Sequence, residues 1–260
     1  MTISLLASAC RADIRLDPFP HVVIPDALPA ETYARLAAEC PSHRRIIADM
    51  PIERLPDNQR YALSAQMIRD GDDIAQSWKA FAEFHTGAAF LGQVAALFAG
   101  HWPAEMLDAL GGRLEGHDIG LHSYAHPGPW RIHMDARVEI NTPVRGRPST
   151  PRGAHLDTVN RLYSGLYYLR SPEDDSQGGE LILYRRLEPP SAPLDRFELP
   201  PEAVEVAAVI PYRANQLVLF PQTIGSIHGV GVRQPTEHIR RYVFITAEID
   251  DPWLTLAEEC

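Results

Sequence analysis

The chain has 260 residues, 45% of them hydrophobic and 22% charged, the balance of a globular protein with a sizeable core. No run of about 18 apolar residues argues for a membrane span, and the opening MTISLLASAC lacks the basic residues of a secretory leader. A formal charge of −10 counts against nucleic acid as a partner. Cys10, Cys40 and Cys260 have no motif spacing, which counts against a disulfide framework or thiolate metal site and favours a cytoplasmic location.

His21 to Ile24 reads as a short β-like run. Pro29 then opens a helical pattern with Tyr33, Leu36 and Ala37 on one face. The polar, proline-containing stretch MPIERLPDNQRYALS reads as loop. From about Asp72 to His101, the residues Ile74, Trp78, Phe81, Phe84, Ala88, Leu91, Val94 and Leu97 recur at helical spacing. One or two amphipathic helices lying on a sheet are expected, with Gly87 and Gly92 as weak points.

After Gly111-Gly112 the texture changes. GHDIGLHSYA, RVEINTPV, RLYSGLYYLR, GGELILYRR, AVEVAAVIPY, NQLVLF, SIHGVGV and RRYVFITAEI are short β-rich runs separated by turn residues. They indicate a sandwich, jelly roll or barrel. LEPPSAPLDRFELPPEA is proline-rich and charged, a surface excursion, and Gly178-Gly179 is a turn needing unusual backbone angles. One domain over residues 1–260 is expected, helix-rich to about residue 110 and a β core over about 111–250.

Within the β-rich part, His-x-Asp occurs twice: His133 and Asp135 in RIHMDAR, and His155 and Asp157 in RGAHLDTV, 22 residues later. On a strand, residues i and i+2 share a face, so either pair presents an imidazole beside a carboxylate. Two histidines and one carboxylate on one face of a metal suit non-haem Fe(II) and leave positions open. His228, after NQLVLF and just before a glycine, is placed to return across a barrel as a third donor.

AHLDTVNRLYSGLYYLRSPEDDSQGGELILY, then NQLVLF, HGV and RRYVFITAEI, resembles the Fe(II)- and 2-oxoglutarate-dependent dioxygenase superfamily, closest to its prolyl-hydroxylase-like bacterial branch. PFPHVVIPDALPAETYARL resembles the lead-in of bacterial members. The resemblance runs from about residue 18 to 250.

It implies an α+β fold, a double-stranded β-helix (jelly roll, cupin-like) core with N-terminal flanking helices. It implies Fe(II), 2-oxoglutarate and O2 as cofactor and cosubstrates, with succinate and CO2 released. It also selects between the pairs: only His155 and Asp157 are followed by YYL and Gly-Gly-Glu, so they and His228 are the metal ligands implied. His133 is then a structural residue near the mouth, or a substrate contact. Because Asp157 retains the carboxylate that halogenases of the family lack, hydroxylation is favoured over halogenation.

The cosubstrate's far carboxylate needs a cation. Lys79, the only lysine, lies in the helical region, which leaves arginine. Arg241 matches the family's position, with Arg240 as the substitute, since neighbours on a strand face opposite ways. Tyr168 matches an inward tyrosine that helps hold the same carboxylate, although either tyrosine of YYL also suits core packing. Tyr124, Trp130, Arg131, His133 and Arg152 are substrate-pocket candidates by position, with His122 and His126 behind them.

The expected activity is hydroxylation of an unactivated C–H in a small-molecule or amino-acid-like substrate. Neither a nucleic-acid nor a membrane partner is expected, and oligomeric state is left open. The competing reading is a cupin-like metal-binding protein, an isomerase or sensor, without 2-oxoglutarate turnover.

Overall fold

The structure, a computed structural model, describes residues 3–123, 128–188 and 197–255. Its strands are β1 (Val22–Ile24), β2 (Arg60–Leu63), β3 (Ile119–Leu121), β4 (Ile132–Asn141), β5 (Arg161–Tyr168), β6 (Leu181–Arg186), β7 (Val204–Ile210), β8 (Gln216–Pro221), β9 (His228–Val230) and β10 (Arg240–Glu248). Its helices are α1 (Ala30–Ala38), α2 (His43–Ile46), α3 (Ala65–Asp70), α4 (Gln76–His85), α5 (Ala88–Leu97) and α6 (Ala104–Ala109).

Two sheets form the β part. The larger runs β1-β8-β5-β10-β4-β2, with β3 pairing β4 in parallel, and the smaller runs β7-β6-β9. Residues Ser149, Arg152 and His155 hydrogen-bond to the β9 side and lengthen the smaller sheet there. One apolar cluster, with Leu166, Tyr168, Phe220, Tyr242 and Phe244 from the larger sheet and Leu181, Leu183 and Ile210 from the smaller, fills the space between the sheets. The other face of the larger sheet carries Ala136, Val138, Ile140, Val243, Ile245 and Ala247, which join Trp78, Phe81, Phe90, Leu91 and Val94 of the helices.

The long helical pattern divides where glycine weakens it. Gly87 is the extended N-cap of α5, whereas Gly92 sits inside α5 with open space around it. The stretch read as loop contains β2 instead. Its edge pairing with β4, Arg60 opposite Asn141 and Leu63 opposite Val138, overrides a composition poor in strand formers. The Ser64 hydroxyl then caps α3 by accepting from Met67 N at 3.2 Å. Gly178 and Gly179 have φ of 85° and 78°, and a Cβ on Gly178 would lie 1.9 Å from the Val232 carbonyl oxygen, so a glycine turn is needed there.

β4 is longer than its RVEINTPV core and includes the first His-x-Asp pair. It alternates strictly: Ile132, Met134, Ala136, Val138 and Ile140 against His133, Asp135, Arg137, Glu139 and Asn141, all ten buried. The apolar set faces the helices. The polar set faces the space between the sheets, where Arg137 contacts Asp135 (3.3 Å) and Glu139 (2.6 Å) and the Tyr242 hydroxyl donates to Glu139. Buried charges persist only when paired, and removing one partner of such a pair costs about 3–5 kcal/mol.

His85, fully buried at the end of α4, donates from Nδ1 to Phe81 O and accepts at Nε2 from Leu5 N. Only a neutral ring can do both, and burial pushes its pKa down to about 4. The unfolded chain therefore binds a proton that the folded chain refuses between about pH 6.5 and 4, so stability falls as pH drops through that window. At pH 5 this amounts to roughly 2 kcal/mol. Urea unfolding at pH 7 and pH 5 checks it: His85→Gln, which cannot titrate, should lose that share of the acid sensitivity whatever its absolute stability.

Candidate metal centre

His155 and His228 sit directly opposite each other on neighbouring strands. Each backbone N–H donates to the other's carbonyl, at 2.9 and 3.0 Å. Antiparallel partners of this kind project side chains to the same side, and the two ring centroids are 4.3 Å apart. Asp157, two residues beyond His155, projects the same way. The ligand atoms of all three lie within 4.8 Å of one another.

Each imidazole is oriented by the same local device. His155 Nδ1 lies 2.8 Å from Gly153 O and His228 Nδ1 lies 3.0 Å from Ser226 O, so Nδ1–H donates and Nε2 carries a lone pair into the site. The Nε2 atoms lie 3.8 and 3.9 Å from the two Asp157 oxygens, too far for hydrogen bonds. Ser164 on β5 donates to Asp157 Oδ2 at 2.5 Å and fixes the carboxylate from the opposite sheet.

Burial pushes His155 down to about 3, with His228 adding to the effect, and lowers His228 as well, so both rings are neutral near pH 7. At Asp157 burial opposes ionisation, but His228, Arg161, His155 and the Ser164 hydroxyl outweigh it and hold the carboxyl below its usual range. Two neutral imidazoles and one carboxylate thus point lone pairs at one buried spot with no proton between them. That donor set fits a divalent, borderline metal ion such as Fe(II).

The site opens into a cavity of about 210 Å³. Leu166, Tyr242, Phe244, Glu139 and Asn141 of the larger sheet form one wall, and Leu181, Val230 and Arg152 the other, with Asn58, Gln59 and Arg60 at the rim. On β10, Tyr242 and Phe244 face inwards, and so does Arg240, which is 1% exposed. Its guanidinium carbon lies 5.1, 4.9 and 4.6 Å from the ring centres of Tyr168, Tyr212 and Tyr242, and Nε donates to Gly179 O. The Tyr168 hydroxyl is buried against the Arg240 guanidinium, and neither it nor Arg240 Nη2 has a further hydrogen-bond partner among the described residues.

Arg241 faces the other way, where its side chain meets Cys40 beside α1. Alternation along β10 forbids both arginines from entering, and the pairing of Arg240 with Asn141 decides in favour of Arg240. Arg241, expected to be the inward arginine, is thus the outward one, and Arg240, its substitute, is the inward one.

The first His-x-Asp pair is engaged elsewhere. His133 Nε2 lies 3.0 Å from Asp250, while Asp135 accepts from Ala65 N and Arg137. Trp130 borders an outer groove beside α3, packed over Gly120 and Gly128, and Arg131 is held by Asp251 and Ala109 O. None of these three lines the cavity; of the pocket candidates Arg152 does. Tyr124 and His126 lie outside the described residues. The sequence reading missed Arg60, Glu139, Asn141 and Tyr242; the strict alternation of β4 and β10 was the available signal for the last three, whereas Arg60 lies on β2, which read as loop.

Two sheets enclosing two histidines and one carboxylate form a candidate 2-His-1-carboxylate metal site. Residues 119–246, just under half of the chain, match the model of the 2OG-Fe(II) oxygenase superfamily, whose chemistry uses Fe(II), 2-oxoglutarate and O2. A prolyl 4-hydroxylase from Phytophthora capsici is similar in structure, with TM-score 0.53 and 15% identity, covering 98% of this chain and 69% of that one. A Pseudomonas putida prolyl-4-hydroxylase gives TM-score 0.47 and 16% identity over 95% of this chain and 100% of that one. An oxidoreductase of the 2OG-Fe(II) oxygenase family from Burkholderia pseudomallei gives 0.48 and 14% over 93% and 91%. At such identities the first likeness speaks for the fold alone, and the other two fall below the range that carries an argument. No curated protein matches the chain in sequence. No helix among the described residues is long and apolar enough to cross a membrane.

Replacing His155 by alanine should lower Fe(II) affinity by more than roughly 100-fold, beyond the usual effect of an outer-shell change. His133→Ala should leave that affinity within a few fold. Anaerobic Fe(II) titration of the two variants distinguishes them, and the reverse order would assign the metal to the wrong pair.

Proposed function

We propose that the protein is an Fe(II)- and 2-oxoglutarate-dependent hydroxylase acting on an unactivated C–H of a small-molecule substrate within a single double-stranded β-helix domain. His155, Asp157 and His228 hold the metal, and Arg240, assisted by Tyr168, holds the far carboxylate of 2-oxoglutarate. The bound metal and keto acid together supply the oxidising chemistry, with decarboxylation to succinate.

The observation that carries this reading is the pairing of the donor triad with a buried arginine that has no acidic partner among the described residues. Three tyrosine faces stabilise the Arg240 cation without neutralising it. The Tyr168 hydroxyl lies against the Arg240 guanidinium, and neither it nor Nη2 has a further hydrogen-bond partner among the described residues, which leaves donors for a ligand. A planar fork suits a carboxylate bound through two hydrogen bonds.

This chain's residues then have separable tasks. The carbonyls of Gly153 and Ser226 hold the imidazole protons away from the metal side, and Ser164 keeps the Asp157 carboxylate turned towards the histidines. Leu166, Leu181 and Phe244 keep the cavity wall apolar, which strengthens every charge interaction inside it. Retention of the Asp157 carboxylate favours hydroxylation over halogenation.

Purified protein with Fe(II), 2-oxoglutarate and oxygen should form succinate, and more of it with an accepted substrate. Tight metal binding with no succinate over a broad substrate panel would instead support the cupin-like, non-oxygenase reading. Arg240→Met should raise the KM for 2-oxoglutarate about 10- to 150-fold, the equivalent of a charged hydrogen bond worth roughly 1.5–3 kcal/mol. Arg241→Met should change that KM less than about twofold, and steady-state kinetics with 2-oxoglutarate varied compares the two.

A further inference from the structure

The cavity carries more positive charge than metal and cosubstrate require. Arg60, half-exposed on β2, and Arg152, on the strand that leads into His155, both line it. Among the described residues Arg152 has no close ionic partner. Its nitrogens lie 3.9 Å from Asp157 Oδ1, 3.7 Å from the exposed Glu198 and 3.5 Å from Leu156 O. All are longer than the 2.7–2.9 Å or so of a charge-assisted hydrogen bond.

Arg161 stands behind the cavity wall at the start of β5, 5% exposed. Its guanidinium carbon is 5.3 Å from the centre of the Phe244 ring that forms the wall. One nitrogen pairs with Glu248 at 2.8 Å, but Nε and Nη1 are buried without a hydrogen-bond partner. Burial is the largest influence on the Arg152 guanidinium; Asp157 and Glu198 favour its positive charge, and Arg60 and Arg161 oppose it more weakly.

The nearby carboxylates do not cancel this excess. Glu139 is taken by Arg137 and the Tyr242 hydroxyl, with Arg60 no closer than 4.0 Å, and Glu248 by Arg161. Asp157 belongs to the metal, and Glu198 is 76% exposed. In a chain of net charge −10, arginines gathered at one mouth and poorly paired form a local field opposite to the average.

We propose that the substrate carries an anionic group, a carboxylate or phosphate, which seats against Arg152 with Arg60 at the rim and the buried charge of Arg161 behind the Phe244 wall, and that this contact sets which C–H faces the metal. The proposal rests on the oxygenase reading above. It assigns Arg152 and Arg161 to the substrate, as distinct from Arg240, which serves the cosubstrate.

The test uses matched pairs of compounds on full-length protein loaded with Fe(II) and 2-oxoglutarate: amino and N-acetylamino acids with their methyl esters, and phosphate monoesters with their parent alcohols. Succinate formation above the substrate-free rate is read aerobically, and binding is read by calorimetry under anaerobic conditions. The anionic member of a pair should bind and stimulate at least tenfold better than its neutral counterpart, and whether acids or phosphates respond names the group.

Arg152→Gln should raise the KM of the stimulating compound at least tenfold, and Arg152→Lys should recover part of it. The affinity for 2-oxoglutarate, read from the charge-transfer absorption of its Fe(II) chelate, should stay within twofold in both variants. Arg161→Gln should weaken the same compound, which keeps the test open if one variant fails to fold. Equal response to esters and acids, preference for amines, no binding by any anion, or a loss of 2-oxoglutarate affinity in Arg152→Gln would each overturn the proposal. Absence of both the chelate absorption and succinate in the unmodified protein would instead overturn the oxygenase reading beneath it.

Discussion

The site depends on one pair of backbone hydrogen bonds, those exchanged between His155 and His228. They place two imidazoles on the same side of neighbouring strands at a separation that side-chain packing alone would not hold. The surrounding sequence serves that pairing. A Cβ on Gly229 would lie 2.5 Å from the Gly153 carbonyl oxygen, so the residue after the second histidine must be small for the strands to approach. Both rings then turn by bonding the carbonyl two residues earlier, so identical local geometry delivers two Nε2 atoms to one point. Asp157 comes with His155 through the period of the strand.

Around that pairing the space between the two sheets is unusually charged. Arg137, Glu139, Arg161 and Arg240 are each at least nine-tenths buried, and desolvation of single ions would be costly. They are tolerated because they are shared out: Arg137 between two carboxylates, Arg161 with Glu248, and Arg240 among three tyrosine rings. The aromatic solution differs in kind from the ionic ones. It shelters a cation and leaves its charge available, whereas a carboxylate would have consumed it.

Much of this was legible in the residues. Two His-x-Asp pairs are equivalent by spacing, but AHLD alone leads into a strand, a Gly-Gly turn and a later histidine, and the structure brings His155, Asp157 and His228 together. The helical stripe from Ile74 to Leu97 packs on the larger sheet and breaks at Gly87. The inward member of Arg240-Arg241 was not legible, because alternation states that they differ without stating which is inside. That choice is made by cross-strand register against Asn141, beyond the RQPTEHI segment, and is a tertiary fact. β2 was hidden for a related reason: an edge strand with one well-paired neighbour does not need strand-forming residues. Trp130 and Arg131 were placed by nearness along the chain, and their partners, Gly120 and Asp251, draw them outwards.

The two-sided burial of β4 has a consequence for fidelity of assembly. A strand with one wet face can slip by one residue and merely exchange some contacts. A slip in β4 would press His133, Asp135, Arg137, Glu139 and Asn141 into the helix-facing core and send five apolar side chains into the barrel. Each misplaced ion would stand unpaired, so the mis-registered chain has no compact state of comparable energy to occupy. The polar ladder that furnishes the cavity wall therefore also acts as a key, admitting a single alignment of the central strands.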